Sequence, residues 1–257
     1  MHSNLNEQIR YNMNYIHINC DLGEGGRFDQ ELMPLISACN IACGGHAGTL
    51  ESMHQTVMLA MENKVEIGAH PSYPDKENFG RISMEISAED LKLSIVAQIL
   101  SLKQIAEAEG GKLTHIKPHG ALYNDAAKDE NIARIVIESI LEFEENFSIY
   151  SPQNSVISKL AEGKIKVISE AFADRNYNEN YSLVSRSKPN ALITQKELVF
   201  QHLLSMYSNK KITCENGQKL DCNATTFCLH SDTPDSVEIL KYLQQKLGEN
   251  NIQILHS

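Results

Sequence analysis

Short apolar runs alternate with longer amphipathic ones along most of the chain. The runs at 15–19, 35–42, 65–69, 114–117, 147–150, 165–169 and 225–229 are brief and often β-branched. That is the pattern of parallel strands covered on both faces. Between them, apolar residues recur at helical spacing. Met53, Val57, Ala60 and Met61 share one face over 49–63. Leu91, Ile95, Ile99, Leu102 and Ala106 share another, on a helix that Ser87-Ala-Glu-Asp90 caps and Gly110-Gly111 ends. Asp129 opens a helix with Ala133, Val136, Ile137, Ile140 and Leu141 inward, and a short one spans 155–162. Thr194-Gln-Lys-Glu197 reads as a capping box, and Thr233-Pro234 as an N-cap followed by a first-turn proline. Seven strand-then-helix steps predict a parallel α/β architecture. One interruption, 211–222, contains Glu215-Asn216-Gly217, the turn signal of a local β-ribbon.

Composition narrows the classes. Of 257 residues, 23 are Lys or Arg and 33 Asp or Glu, a net charge of −10. No basic field exists to hold phosphates, which excludes nucleic acid and anionic membrane as partners. The longest unbroken apolar run, 57–61, is far short of the roughly 20 residues a membrane span needs. Apolar residues make up 42% of the chain, enough for a substantial core. With no internal repeat, low-complexity tract or proline-rich linker, a single domain over 1–257 is expected. The opening MHSNLNEQIRYNMNY has no apolar stretch of the secretory kind, and 1–14 reads as a flexible extension. The six cysteines form no CxxC pair, and Cys20, Cys43 and Cys228 fall within or at the end of strand-like runs. They read as small buried hydrophobes in a reducing, cytoplasmic compartment.

The chemistry gathers where strands end. Strand one runs into Asn19-Cys-Asp21-Leu-Gly-Glu24, strand two into Asn40 and then His46, strand three into His70-Pro-Ser-Tyr73. Strand four gives Lys117-Pro-His119, strand six Glu170 with Asp174-Arg175, and the last strand His230-Ser-Asp232. In a parallel barrel these ends emerge on one face, where barrel active sites lie. Such a convergence of histidines, carboxylates, a lysine and an arginine exceeds what caps and turns require. Asp21 and Glu24 read either as a general base and its partner or as metal ligands. Asp21, His46 and His70 together fit an Asp-His-His site for zinc or a related ion, or, more plainly, two hydrogen-bonded core histidines and a turn aspartate. Lys117, at the end of an apolar strand, needs an anion. His119 reads as a proton shuttle or a loop cap, and Asp174-Arg175 as an internal salt bridge. Arg175 or Arg186 reads as a fork for a substrate carboxylate. The loop 75–80, with Arg81, either closes over the site or only connects. His54 reads as a surface or packing residue, while His2, His17, His115, His202 and His256 carry no constellation. The sequence contains neither GxxxxGK[ST] nor a strand-to-helix GxGxxG.

Taken together, NCDLGEG (19–25), LMPLISACNIACGGHAG (32–48), IGAHPSYPD (67–75), FGR (79–81), HIKPHGALYN (115–124), EAFADRNY (170–177), LVSR (183–186) and CLHSDTP (228–234) resemble the LamB/YcsF family, in family order. The departures are Thr49 for a usual Asp, Ile82 for a second Arg, Ser231 for Gly and Ser185 for Pro. The resemblance implies an irregular, TIM-like, seven-stranded (β/α) barrel related to glycoside hydrolase and deacetylase barrels. It implies the A subunit of an ATP-dependent 5-oxoprolinase, which opens the 5-oxo-L-proline lactam to L-glutamate beside B and C subunits. Under that reading Asp21, Glu24, His46, His70, Lys117 and His119 are the catalytic set. Base duty falls to Asp21 or His70 and acid duty to His46 or His119, while Lys117 steadies an oxyanion or phosphoryl oxygen. Asn40, Glu170, Asp174, Arg175, Arg186, His230 and Asp232 are the substrate-binding set. ATP is expected as co-substrate, held mainly through the partner subunits, and a divalent metal stays open. Two other readings are a stand-alone metal-dependent amidohydrolase or deacetylase, and a non-catalytic substrate-binding subunit.

Overall fold

The computed structural model describes residues 14–256. The extension expected at 1–14 lies outside these except for Asn14, which already belongs to the first strand. In chain order the elements are β1 (Asn14–Leu22), α1 (Asp29–Leu32), β2 (Ala38–Ala42), α2 (Leu50–Asn63), β3 (Glu66–His70), α3 (Ala88–Ala108), β4 (Leu113–Ile116), α4 (Gly120–Ala126) and α5 (Glu130–Ile140). Then follow β5 (Ser148–Pro152), α6 (Val156–Ala161), β6 (Lys166–Phe172), α7 (Lys196–Ser208), β7 (Lys211–Thr213), β8 (Lys219–Asp221), β9 (Thr226–Cys228), α8 (Ser236–Glu249) and β10 (Ile252–Ile254).

Strands β1 to β6 lie side by side in chain order, all parallel. β9 pairs with both β6 and β1 and closes a seven-stranded barrel. β10 extends the wall by pairing with Asn14, Tyr15 and Ile16 at the start of β1. β7 and β8 form the antiparallel ribbon that Glu215-Asn216-Gly217 announces, with Gly217 at φ +86°. Among the described residues no helix is long and apolar enough to cross a membrane.

Alternation along β1 separates two environments. Ile16, Ile18, Cys20 and Leu22 belong to the apolar core, while Asn19 and Asp21 meet polar partners from other strands. Parallel strands backed by helices bury one face in this way, and the barrel interior takes the other. The Ser87 cap and the Asp129 start hold as read, and two further caps appear. Thr49 and Ser52 form a capping box on α2, and Ser87, Asp129 and Ser155 cap α3, α5 and α6. Thr49 therefore does the N-cap work that an aspartate there would also do.

Two cap readings need correction. α7 starts from Gln195 with no side-chain cap, and α8 from Asp235 in the left-handed region. The Thr233 hydroxyl instead donates to Asp174 Oδ2 at 2.6 Å, so tertiary contact takes the group that local pattern assigns to a helix. The strand expected over 35–42 begins only at Ala38, because Met33–Leu35 form a 3-10 turn around Pro34. The short α4 and β10 were not foreshadowed by periodicity.

Candidate active site

A row of paired positions crosses the barrel. Asp21 pairs with Asn40, Asn40 with Gly68, and Gly68 with His115. Gly68 is there because its neighbour needs the space: a Cβ on it would lie 2.1 Å from His115 Nε2. The ring passes over the glycine, stacks on Tyr150 at 4.0 Å, and donates from Nε2 to Asn40 Oδ1 at 2.8 Å. Asn40 Nδ2 in turn donates to Asn19 Oδ1 and Asp21 Oδ1, both at 2.8 Å.

Lys117 occupies the centre of this layer. Its Nζ lies 2.9 Å from Asp21 Oδ1, 3.0 Å from Glu170 Oε1, 3.3 Å from Asn19 Oδ1 and 3.1 Å from Cys228 Sγ. The anion this lysine needs is thus supplied by the chain itself. Burial opposes its charge, but Asp21 first and Glu170 after it hold its pKa well above the ordinary value. Burial likewise opposes the charge of Asp21, and His70 and Lys117 overturn that and hold its carboxyl well below the usual range. Burial pushes the Cys228 thiol well up, so it sits beside the lysine as a neutral group.

A second cluster stands next to it, one residue from each of the first four strand ends. His70 Nδ1 donates to the Lys117 carbonyl at 2.7 Å, and His119 Nε2 to the Phe79 carbonyl at 3.0 Å. His70 Nε2 and His119 Nδ1 then face one another at 2.9 Å. Glu24 Oε1 lies 2.9 Å from His46 Nε2, 3.3 Å from His119 Nδ1 and 3.8 Å from His70 Nε2. Burial lowers the pKa of His46 to about 4 and that of His119 below the ordinary value. Burial also opposes the charge of Glu24, but the imidazoles of His119 and His46 against it hold its pKa well below the usual range. His46 is stacked on His119 at 3.6 Å, and Phe79, at φ +54°, meets both rings edge-on. The loop 75–80 therefore packs on the histidine cluster through Phe79.

A cavity of about 600 Å³ opens over both groups. Buried Asp21, His70, Lys117, His119, Glu170 and Arg175 line it with Glu24, and the more exposed Arg81, Arg186, His230 and Asp232 line it as well. His46, Asn40 and Asp174 are buried behind this lining rather than on it. Asp174 is fully buried and accepts hydrogen bonds from the backbone N–H and Nδ1 of His230 and from Thr233. Burial opposes its charge, but His230 and these bonds lower its pKa to about 2. His230 is thereby fixed with Nδ1–H on Asp174 and Nε2 unused. The expected Asp174–Arg175 salt bridge is not formed. Arg175 donates instead to the carbonyls of Ala191 and Val184, at 3.2 and 2.7 Å, and ties down that loop. Arg186 and Arg81 both hold Asp232, at 3.1 and 2.6 Å.

Sequence reasoning passed over His115, Asn19, Cys228 and Tyr123. The HIKPHGALYN string contains His115 and Tyr123, but only the pairing across Gly68 shows what His115 does. The Tyr123 hydroxyl and Glu170 Oε2 are buried neighbours on the cavity wall, and neither makes a hydrogen bond of normal geometry. Burial, with Glu170 beside it, pushes the Tyr123 phenol well above its ordinary value, so it remains a donor. The six cysteines are free and buried.

The geometry has clear relatives. The chain is 42% identical over 243 residues to the A subunit of 5-oxoprolinase from Haemophilus influenzae strain PittEE, covering 94% of this chain and 99% of that protein. It is 42% identical over 246 residues to the A subunit of 5-oxoprolinase from Pyrococcus horikoshii, covering 93% and 96%. The crystal structure of a lactam utilization protein from Thermus thermophilus superposes with a TM-score of 0.87 at 31% identity, over 95% of this chain and 100% of that one. The sequence also matches the model of the LamB/YcsF family over residues 16–257, and with relatives this similar over nearly their whole length the chain belongs to that family.

Proposed function

We propose that this chain, a single (β/α) barrel domain, is the A subunit of an ATP-dependent 5-oxoprolinase. It opens the lactam of 5-oxo-L-proline to L-glutamate as ATP is hydrolysed, in a cytoplasmic complex with B and C subunits. The names of its relatives support this reading, and one local observation carries it. A lactam is a cis amide that shows an N–H and a C=O along one edge. Tyr123 and Glu170 both line the cavity, and the Tyr123 hydroxyl and Glu170 Oε2 are buried against one another with no third partner. Turned toward the cavity, the pair would meet a ligand presenting that edge with one donor and one acceptor, each hydrogen bond worth about 0.5–1.5 kcal/mol net. The free buried cysteines support the reducing compartment.

The chemistry follows from the substrate. A lactam carbon is a poor electrophile and its nitrogen a poor leaving group. Transfer of the ATP γ-phosphoryl group to the amide oxygen forms the O–P bond, releases ADP and activates the carbon. Water then adds to that carbon. His230, held by Asp174, takes the water's proton on Nε2 and passes it to the ring nitrogen as the C–N bond breaks. An acyl phosphate remains, and a second water releases phosphate and the new carboxylate of glutamate. Asp21, with its pKa so far down, is a weak base; its Oδ2 orients water instead. Lys117 has four acceptors already and acts by fixing Asp21 and Glu170 rather than by touching substrate. Arg81 and Arg186 already bind one carboxylate, so they fit the substrate carboxylate or a phosphoryl group. The sequence has no GxxxxGK[ST] loop, and the rest of the nucleotide is assigned to the B and C subunits.

The test is a coupled assay for glutamate and ADP, with 5-oxoproline and ATP, on this chain alone and with its partners. Turnover in the mixture only is expected. The Tyr123→Phe variant should lose about tenfold or more in kcat/KM while its thermal unfolding stays cooperative, which shows that the fold is kept. Absence of turnover in a mixture of verified assembly overturns the reading. Turnover by this chain alone without ATP favours the metal-dependent amidohydrolase.

A further inference from the structure

Four side chains from four successive strand ends are buried together beside the cavity: Glu24, His46, His70 and His119, with 10, 0, 1 and 8% of each side chain exposed. The backbone has already decided how two of the rings face. A carbonyl oxygen only accepts, so His70 carries its proton on Nδ1, toward Lys117 O, and His119 on Nε2, toward Phe79 O. With no further proton on either ring, each turns a bare nitrogen to the other at 2.9 Å. Two lone pairs at that distance repel, and Glu24 Oε1 adds a third electron-rich atom at 3.3 and 3.8 Å. His46 Nε2 is 2.9 Å from the same oxygen, and its Nδ1 is buried without a partner.

Such an arrangement is stable around a cation. Donors about 2.0–2.2 Å from a tetrahedral ion stand roughly 3.3 Å from one another. The contacts among these four groups run from 2.9 to 3.8 Å, and all four donor atoms lie within 4.8 Å of each other. A small splay of the stacked His46 and His119 rings completes the shell. The carbonyls on the far sides of His70 and His119 are the outer partners that fix metal-bound imidazoles. Three nitrogens and one carboxylate oxygen suit zinc and its neighbours and do not suit calcium or magnesium.

We propose that Glu24, His46, His70 and His119 bind one divalent transition-metal ion of the zinc class, facing the cavity on the side of Glu24, His70 and His119. Asp21 gives Oδ1 to Lys117 and Asn40 and brings Oδ2 to 3.5 Å from His70 Nε2, but it is not one of the four mutually close donors, so the set differs from the Asp21, His46 and His70 trio that the sequence suggests. The site rests on the histidine geometry alone and is independent of which amide the cavity takes. It also leaves His230 free for proton transfer.

The experiment uses the tag-free full chain, stripped by chelator and dialysed, then titrated with Co²⁺ and Zn²⁺. One equivalent should bind, with the visible absorption of a four- or five-coordinate cobalt centre that zinc abolishes. Replacing His70 or His119 by Ala, or Glu24 by Gln, should weaken binding by more than the roughly 10–100-fold cost of losing an outer hydrogen-bond partner. The His54→Ala variant, on the exposed face of α2, should bind as the parent does. If the ligand variants unfold, a cobalt-soaked crystal of the parent decides by whether an anomalous peak lies among the four donor atoms. Failure of the folded parent to bind a stoichiometric ion, or binding untouched by the ligand variants, overturns the proposal.

Discussion

A lysine amine with almost no solvent and two carboxylates against it is held by a balance of large terms. Asp21 and Glu170 stabilise the ammonium of Lys117, and it stabilises them; all three would be costly alone. Replacing Lys117 by Met removes the charge and keeps the bulk, and leaves two uncompensated carboxylates in the barrel. The expected loss is about 3–5 kcal/mol, read as a lower urea midpoint. Adding Glu170→Gln to that variant should restore part of it, because one of the stranded charges is then gone. Equal stability of parent and Lys117→Met would show that the carboxylates do not depend on the lysine. The motif HIKPHG made the need for an anion legible. It did not reveal which anion, since Asp21 lies 96 residues away and reaches Lys117 only through strand order.

At the level of elements, strand ends, strand order and most caps are written locally, in apolar runs, β-branched residues and Ser, Thr or Asp before a helix. Contacts that cross the barrel are not. Thr233 looks like an N-cap until Asp174 claims its hydroxyl, and His115 looks idle until β3 is laid beside β4. Gly68 shows the same point from the other side. It reads as a weak spot in a strand, yet it is the gap through which His115 reaches Asn40. The Gly68→Ala variant forces a methyl group into a ring that Tyr150 holds from one face. Overpacking and loss of the Asn40 bond together should cost roughly 2–5 kcal/mol. Denaturant unfolding of Gly68→Ala and of Gly68→Ala with His115→Ala separates the causes. The second substitution should recover the clash if the ring is the obstacle, and should make matters worse if the strand itself rejects a side chain.

For the molecule as a whole, buried titratable groups set how acid is tolerated. The fold was legible because seven strand–helix steps recur, but the protonation of the interior depends on packing that no local pattern reports. His202 on α7 lies far from the histidine cluster; burial lowers its pKa to about 4, and Asp174 only partly opposes this. Its Nε2 has no partner. An unfolded histidine titrates near 6.5, so between pH 6.5 and 4 the unfolded chain binds a proton that the native one refuses. Native stability therefore falls as pH drops through that window, by about 3 kcal/mol for this group. His115, its pKa also lowered well below the ordinary value by burial, pushes in the same direction. Asp174 acts later. Its native pKa of about 2 lies below the unfolded value, so its contribution is whole above pH 4 and is lost between 4 and 2, roughly 2–3 kcal/mol. Urea midpoints measured in chelator from pH 7.5 to 3 should decline from near 6.5, well before ordinary carboxylates protonate. The His202→Gln variant should keep the decline below pH 4 and lose one share of the one above it, the rest belonging to His46, His115 and His119. A parent curve flat down to pH 5 would mean that the interior admits water to these rings, and the burial argument for the barrel's histidines would fail with it.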